Sequence, residues 1–175
     1  RFAGFMEGAY LHSNYFKPDI SILEKLSVSK DEPFILFRFV SRKSLHDRTH
    51  IGLSHDQKIE LVERFAQNYR VFISSEVELP TVLQKYNLKS EKKDIHQVIF
   101  YAKLLIGESA TMTAESALLG TPAVYIDNEG RGYTNYLESK YGIVSNFKET
   151  KEDIKKAVEK AISILTSQKD YSRVR

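Results

Sequence analysis

One carboxylate stands in a run that is otherwise small or apolar after its first residues: Glu115, in GESATMTAESALLGTPAVYI, residues 107–126. A charge on a helix of that composition costs free energy unless a cation or ligand hydroxyls meet it. The residues ahead of it point to a ligand. Gly107, Ser109, Thr111, Met112 and Thr113 mark a helix start with small side chains and hydroxyls, where free N–H groups and the positive end of the helix dipole can cradle a phosphate. Glu115 follows one to two turns into the helix, so a pyrophosphate at the helix start would bring a sugar near it. There its carboxylate can accept hydrogen bonds from two adjacent hydroxyls, the usual role of an acid beside a nucleotide ribose. The same residue types also allow a buried ion pair, with Arg38 as the cation.

Two other segments carry polar chemistry. SRKSLHDRTHIGLS, residues 41–54, follows an apolar run that contains Arg38, and holds Ser41, His46, Asp47 and three further cations. SSEVELP, residues 74–80, supplies Ser75 and Glu76. With the helix start these form a candidate anion site, although a basic loop taken alone also reads as solvated surface. His46, His50 and His55 lack both cysteine partners and a helical i, i+4 histidine pair, so no metal centre is expected. Gly130-Arg131-Gly132 is too short for a dinucleotide fingerprint and reads as a turn.

These segments need a scaffold, and the hydropathy pattern supplies one. Apolar runs at 34–40, 70–75, 104–107 and 123–126 alternate with amphipathic stretches, which predicts βα units stacked on a parallel sheet. Helices are expected at 19–28, 54–69, 81–87, 94–103, within 107–120, at 133–142 and at 151–165. Ser54 with Gln57, Asp94 with Gln97, and Thr150 with Asp153 have capping spacing, while Gly120 and Gly142 are stop signals. The expected fold is α/β, a Rossmann-like doubly wound parallel sheet with helices on both faces. In such a sheet ligands bind beyond the carboxyl ends of the strands, where all the segments above fall.

Composition sets outer bounds. The chain has 175 residues, 42% hydrophobic and 28% charged, enough for one domain with a core. A net charge of +3 gives no bulk electrostatic case for nucleic acid. There is no cysteine. The longest apolar run, VIFYAKLLIG, is broken by Lys103 and falls short of a bilayer span, so a soluble, cytoplasmic location is the default expectation. The chain opens at Arg1 rather than Met and reads as part of something longer.

The ordered set of segments resembles a known family. GESATMTAESALLGTP looks like the nucleotide-binding helix in the C-terminal domain of GT-B glycosyltransferases, and is similar to that of the lipid II N-acetylglucosaminyltransferase and of UDP-N-acetylglucosamine 2-epimerase. YLH with FKPD, then RFVS, HD, SSEVELP, the helix segment and YLESKYGI together resemble the prokaryotic GT-B-like family called domain of unknown function 354. The resemblance implies the C-terminal half of a two-domain GT-B protein, with residues 1–18 as the crossover from a preceding half and 19–175 as the nucleotide-sugar domain. It implies a nucleotide sugar such as a UDP-sugar as substrate, with no cofactor, and a role in envelope or surface polysaccharide synthesis. By matching position, Glu115 would hold the ribose, while Ser109, Thr111 and Thr113 meet the pyrophosphate. Arg38, Ser41 and the His46-Asp47 pair would close on the phosphates. The acceptor, in some cases membrane-bound, and the catalytic base would belong to the other half, leaving this chain inactive alone. Ala114 stands where the epimerase has the first of two paired acids, which makes epimerisation the less favoured alternative, beside a scaffold that has lost its chemistry.

Overall fold

The computed structural model describes residues 5–41 and 52–167. All four predicted strands form: β1 Phe34–Phe39, β2 Arg70–Ser75, β3 Leu104–Gly107 and β4 Ala123–Ile126. A fifth, β5 Val144–Phe147, joins the edge beside β4. Its sequence, VSNF, is buried only in its first half, so it shows neither a continuous apolar run nor clean alternation. The sheet is parallel throughout, in the order β2-β1-β3-β4-β5.

Strands buried on both faces still alternate, and the alternation divides the core. Phe34, Leu36, Leu105, Ala123 and Tyr125 face one layer; Ile35, Phe37, Phe39, Leu104, Ile106 and Val124 face the other. The first layer holds α1 Gly8–Leu11, α2 Ser21–Lys25, α4 Ile95–Tyr101, α5 Ala110–Leu118 and α6 Gly132–Tyr141. The second holds α3 His55–Ala66 and α7 Lys151–Thr166, with the 3-10 segment Thr81–Tyr86. Helices therefore cover both faces, as the doubly wound reading requires. The segment before Pro18 belongs to the first layer: Leu11 is buried, and the Phe16 ring lies 5.7 Å from that of Phe100 on α4.

Local signals account for several helix ends. Ser54 and Gln57 form a reciprocal capping box on α3, and Thr150 accepts the Asp153 N–H on α7. Gly142 ends α6 at φ 61°, a left-handed conformation that costs glycine little. The expected Asp94-Gln97 cap does not form. Asp94 pairs with Lys25 at 3.0 Å, and Gln97 holds the Asp19 N–H and the Lys17 carbonyl, so tertiary partners take both side chains. The segment expected as a helix at 81–87 tightens into the 3-10 turns. Among the described residues no helix is long and apolar enough to cross a membrane.

Gly107 closes β3 in register with Arg38 of β1. A Cβ there would lie 2.1 Å from the Arg38 carbonyl oxygen, so the glycine is set by backbone approach between central strands. Gly107→Ala should destabilise the domain by at least about 2 kcal/mol, lowering the melting temperature by roughly 4–8 °C in a calorimetric scan. A melting temperature equal to wild type would show that the two strands are not in this contact.

Candidate functional site

From β1 the chain crosses to β2 on one side and then returns to β3 on the other, so the loops diverge above the β1-β3 boundary. That switch point is where an open α/β sheet forms its ligand crevice. Beside it a cleft of about 650 Å³ opens over the carboxyl ends of β1 and β2 and reaches α5, lined among others by Arg38, Ser74, Ser75, Glu76, Ser90 and Met112. Strand alternation turns Arg38 to the same face as Leu36, the face that carries α4 and α5. One guanidinium nitrogen donates to Ser74 Oγ, its register partner's side chain, at 2.9 Å, and another pairs with Glu76. Glu76 also accepts the Ser41 N–H at 3.1 Å. Among the described residues, Arg38 Nε and Ser90 Oγ on this cleft are buried without a hydrogen-bond partner.

The helix start divides its polar groups among different tasks. Ser109 caps α5 by accepting the Met112 N–H at 3.3 Å. Thr111 is exposed, Met112 lines the cleft, and Thr113, 1% exposed, packs inside the domain rather than at the helix mouth. Ser75 uses its hydroxyl in the turn after β2, donating to the Val77 carbonyl and accepting the Val77 N–H. Gly107 serves strand packing, as above. The turn at 127–132 is built by Asp127, which accepts the Glu129 and Gly130 N–H groups, and Arg131 pairs with Glu129. His46 and Asp47 lie outside the described residues, together with the rest of 42–51.

Glu115 is 7% exposed and its cation is not Arg38. Its Oε1 accepts the Tyr10 hydroxyl at 2.8 Å and lies 3.1 Å from His96 Nε2. Tyr10 comes from α1 and His96 from α4, and their rings sit 5.6 Å apart, so one carboxylate oxygen gathers three helices. Burial, then the hydrogen bond and the negative charge of Glu115, raise the Tyr10 pKa well above its ordinary value of 10.0. Because the folded value is the higher, the associated stability is present below pH 10.0 and is lost as pH rises toward the folded value.

A second buried acid, Glu108, plays a part that its position in a polar loop did not reveal. It is 3% exposed, accepts the Leu53 N–H at 2.7 Å and the Val40 N–H at 3.4 Å, and lies 3.6 Å from Lys58 Nζ. Lys58 is itself buried on α3, with its ammonium 5.1 Å from the centre of the Phe39 ring. Glu108 thus ties the chain on both sides of 42–51 to the end of β3. The sequence signal was indirect: a lysine on the inner side of α3 and an acid directly after a buried strand, each needing a counter-charge.

Removing one member of that pair exposes the other charge to an apolar surrounding. Lys58→Met should cost roughly 3 kcal/mol in urea unfolding, and Lys58→Met with Glu108→Gln should recover part of the loss. Additive losses in the double variant would rule out the pairing. For Tyr10, difference titration of wild type against Tyr10→Phe in ultraviolet light should assign one phenol ionising above the ordinary tyrosine range; ionisation at 10.0 would remove the Glu115 contact.

Comparison with known proteins follows the same fold. The profile of the family described as "Protein of unknown function (DUF354)" spans residues 1–175. No curated protein matches the chain. Among solved structures, UDP-GlcNAc 2-epimerase from Methanocaldococcus jannaschii is similar over 86% of this chain and 44% of its own, at 16% identity and a TM-score of 0.53. Another UDP-N-acetylglucosamine 2-epimerase gives 96%, 42%, 14% and 0.57 on the same measures. A histidine-to-alanine variant of the wall teichoic acid polymerase TagF gives 97%, 46%, 13% and 0.50. The chain spans less than half the length of each of these. At such identities the likeness is one of fold, a Rossmann-like half of the GT-B architecture. On the family match over its whole length, the chain belongs to the DUF354 family.

Proposed function

We propose that this chain is the nucleotide-sugar-binding half of a GT-B-type glycosyltransferase, with a UDP-sugar as donor, acting in envelope or surface polysaccharide synthesis. One observation carries the reading: the cleft at the carboxyl ends of β1 and β2 holds an arginine whose buried Nε has no hydrogen-bond partner among the described residues, and the helix bordering it carries a buried carboxylate one turn further on. Met112 lines the cleft, and Glu115 follows three residues later on the same side of α5, about 4.5 Å along the axis. A diphosphate at the mouth of α5 would then be served by Arg38 and by the N–H groups of the first helical turn, with the ribose toward Glu115.

In transfer, negative charge grows on the leaving diphosphate as the sugar–oxygen bond breaks. Fixed positive ends stabilise that charge without reorganising: the Arg38 guanidinium, held by Ser74 and Glu76, and the α5 N-terminus, held by the Ser109 cap. The acceptor and the base that activates it belong, on this reading, to the remainder of the protein, outside this chain. An epimerase-like role with the same fold is the alternative, less favoured because Ala114, fully buried, stands before Glu115 in place of a second acid. The internal pairing of Arg38 with Glu76, and of Glu115 with Tyr10 and His96, supports a third reading in which the domain is a scaffold.

Calorimetric titration of this chain with UDP and UDP-sugars separates the three. The transferase and epimerase readings require binding that weakens at least about tenfold in Glu115→Ala, since hydrogen bonds to a charged group are lost. Turnover of a UDP-sugar to its C2 epimer by the complete protein would select the epimerase. Absence of binding by any of these nucleotides, in this chain and in the complete protein, would leave the scaffold.

A further inference from the structure

An ionised carboxylate offers about four lone-pair positions, two on each oxygen. In Glu115 the two known contacts fall on the same oxygen: the Tyr10 hydroxyl and His96 Nε2 both meet Oε1, at 2.8 and 3.1 Å. Among the described residues no hydrogen bond is made to Oε2. The arrangement is therefore one-sided, with one oxygen saturated by protein and the other holding two open positions, the number that the two hydroxyls of a cis-diol require.

We propose that Tyr10 and His96 are positioning residues that fix the Glu115 carboxylate so that Oε2 alone receives both hydroxyls of a ribose, and that they thereby set preference for ribonucleotides over 2′-deoxyribonucleotides. The inference rests on the nucleotide-binding reading above and deepens it. Neither residue touches the ligand. Their action is geometric: two donors from different helices stop rotation of the carboxylate about its last bond, so its free lone pairs keep one direction. His96 donates when its proton is on Nε2, and Tyr10 can only donate to an ionised carboxylate. The tilted contact between the two rings, 5.6 Å between centres, holds both donors on the one oxygen. Without them the carboxylate can turn, share Oε1 and Oε2 between one hydroxyl and water, and lose the distinction between a diol and a single hydroxyl.

Tyr10 also gives the site an unusual dependence. It comes from the segment ahead of Pro18, anchored by Leu11 and by Phe16 against Phe100, so the orientation of a carboxylate on α5 depends on chain 105 residues earlier. Ordering of that segment and ribose selection are coupled through one phenol.

The probes are UDP and 2′-deoxy-UDP, titrated calorimetrically into this chain. Wild type should prefer UDP, and Tyr10→Phe and His96→Leu should each shrink that preference by about three- to tenfold, the value of one hydrogen bond. His96→Gln, which returns an amide donor near the Nε2 position, should restore most of it. If both Tyr10→Phe and His96→Leu keep the wild-type ratio, the positioning role is overturned even where the variants melt earlier, since a purely structural role lowers stability without changing the ratio. If wild type binds both nucleotides equally and Glu115→Gln changes neither, the ribose reading itself fails, and the positioning role with it.

Discussion

At the carboxyl end of the sheet the backbone of Gly107 runs against that of Arg38, and the Arg38 carbonyl accepts the Glu108 N–H at 2.9 Å. Much of the site hangs on this junction. Because the strands are in register here, the Arg38 side chain rises on the face covered by α4 and α5, while Glu108 leaves β3 directly into the loop that starts α5. A larger residue at 107 would displace β3 along its hydrogen-bonding direction. The displacement would carry with it the Ser109 cap, the cleft wall at Met112 and the two amide contacts of Glu108. The constraint is steric and local, yet it positions groups from two strands and from the helix that follows them.

The acids that flank the start of α5 show how burial and charge are reconciled differently seven residues apart. Glu108 is surrounded by donors, two amides and an ammonium, which use both of its oxygens and make it an internal brace. Breaking such a brace is costly because the remaining charge has nowhere to go. Glu115 is nearly as buried, but its partners are gathered on one oxygen. The first acid is chemically complete; the second is complete on one side only. Burial alone therefore does not separate the two carboxylates, whereas the count of satisfied oxygens does.

What could be read in the sequence was mostly what is decided locally. The capping box at Ser54 and Gln57, the Thr150 cap and the Gly142 stop involve residues within four positions of one another, and each forms as expected. The central strands β1, β3 and β4 are legible because strands buried on both faces are apolar along nearly their whole length, and the edge strand β2 because its middle, Val71 to Ile73, is apolar. β5 is not, since an edge strand needs only part of that pattern. Asp94 and Gln97 had the spacing of a cap but found stronger partners in Lys25 and in the chain at 17–19, a choice that no local rule contains. The alternative of an ion pair between Glu115 and Arg38 fails for the same reason. Residue type says that a donor is required; only the path of the chain says that Tyr10 and His96 arrive first, while Glu76 takes Arg38.

That last exchange has a physical logic of its own. Arg38 lines the crevice, and Glu115 stands three residues beyond Met112 of its wall, so a direct pair between them would have neutralised the two charges against each other. Instead each is matched laterally, Arg38 along the sheet toward β2, Glu115 between helices toward α1 and α4. Lateral pairing offsets the cost of burying both charges, and among the described residues it leaves Arg38 Nε and Glu115 Oε2 without a hydrogen bond. One possible ion pair is thereby divided into two separate sets of contacts, one along the sheet and one between helices.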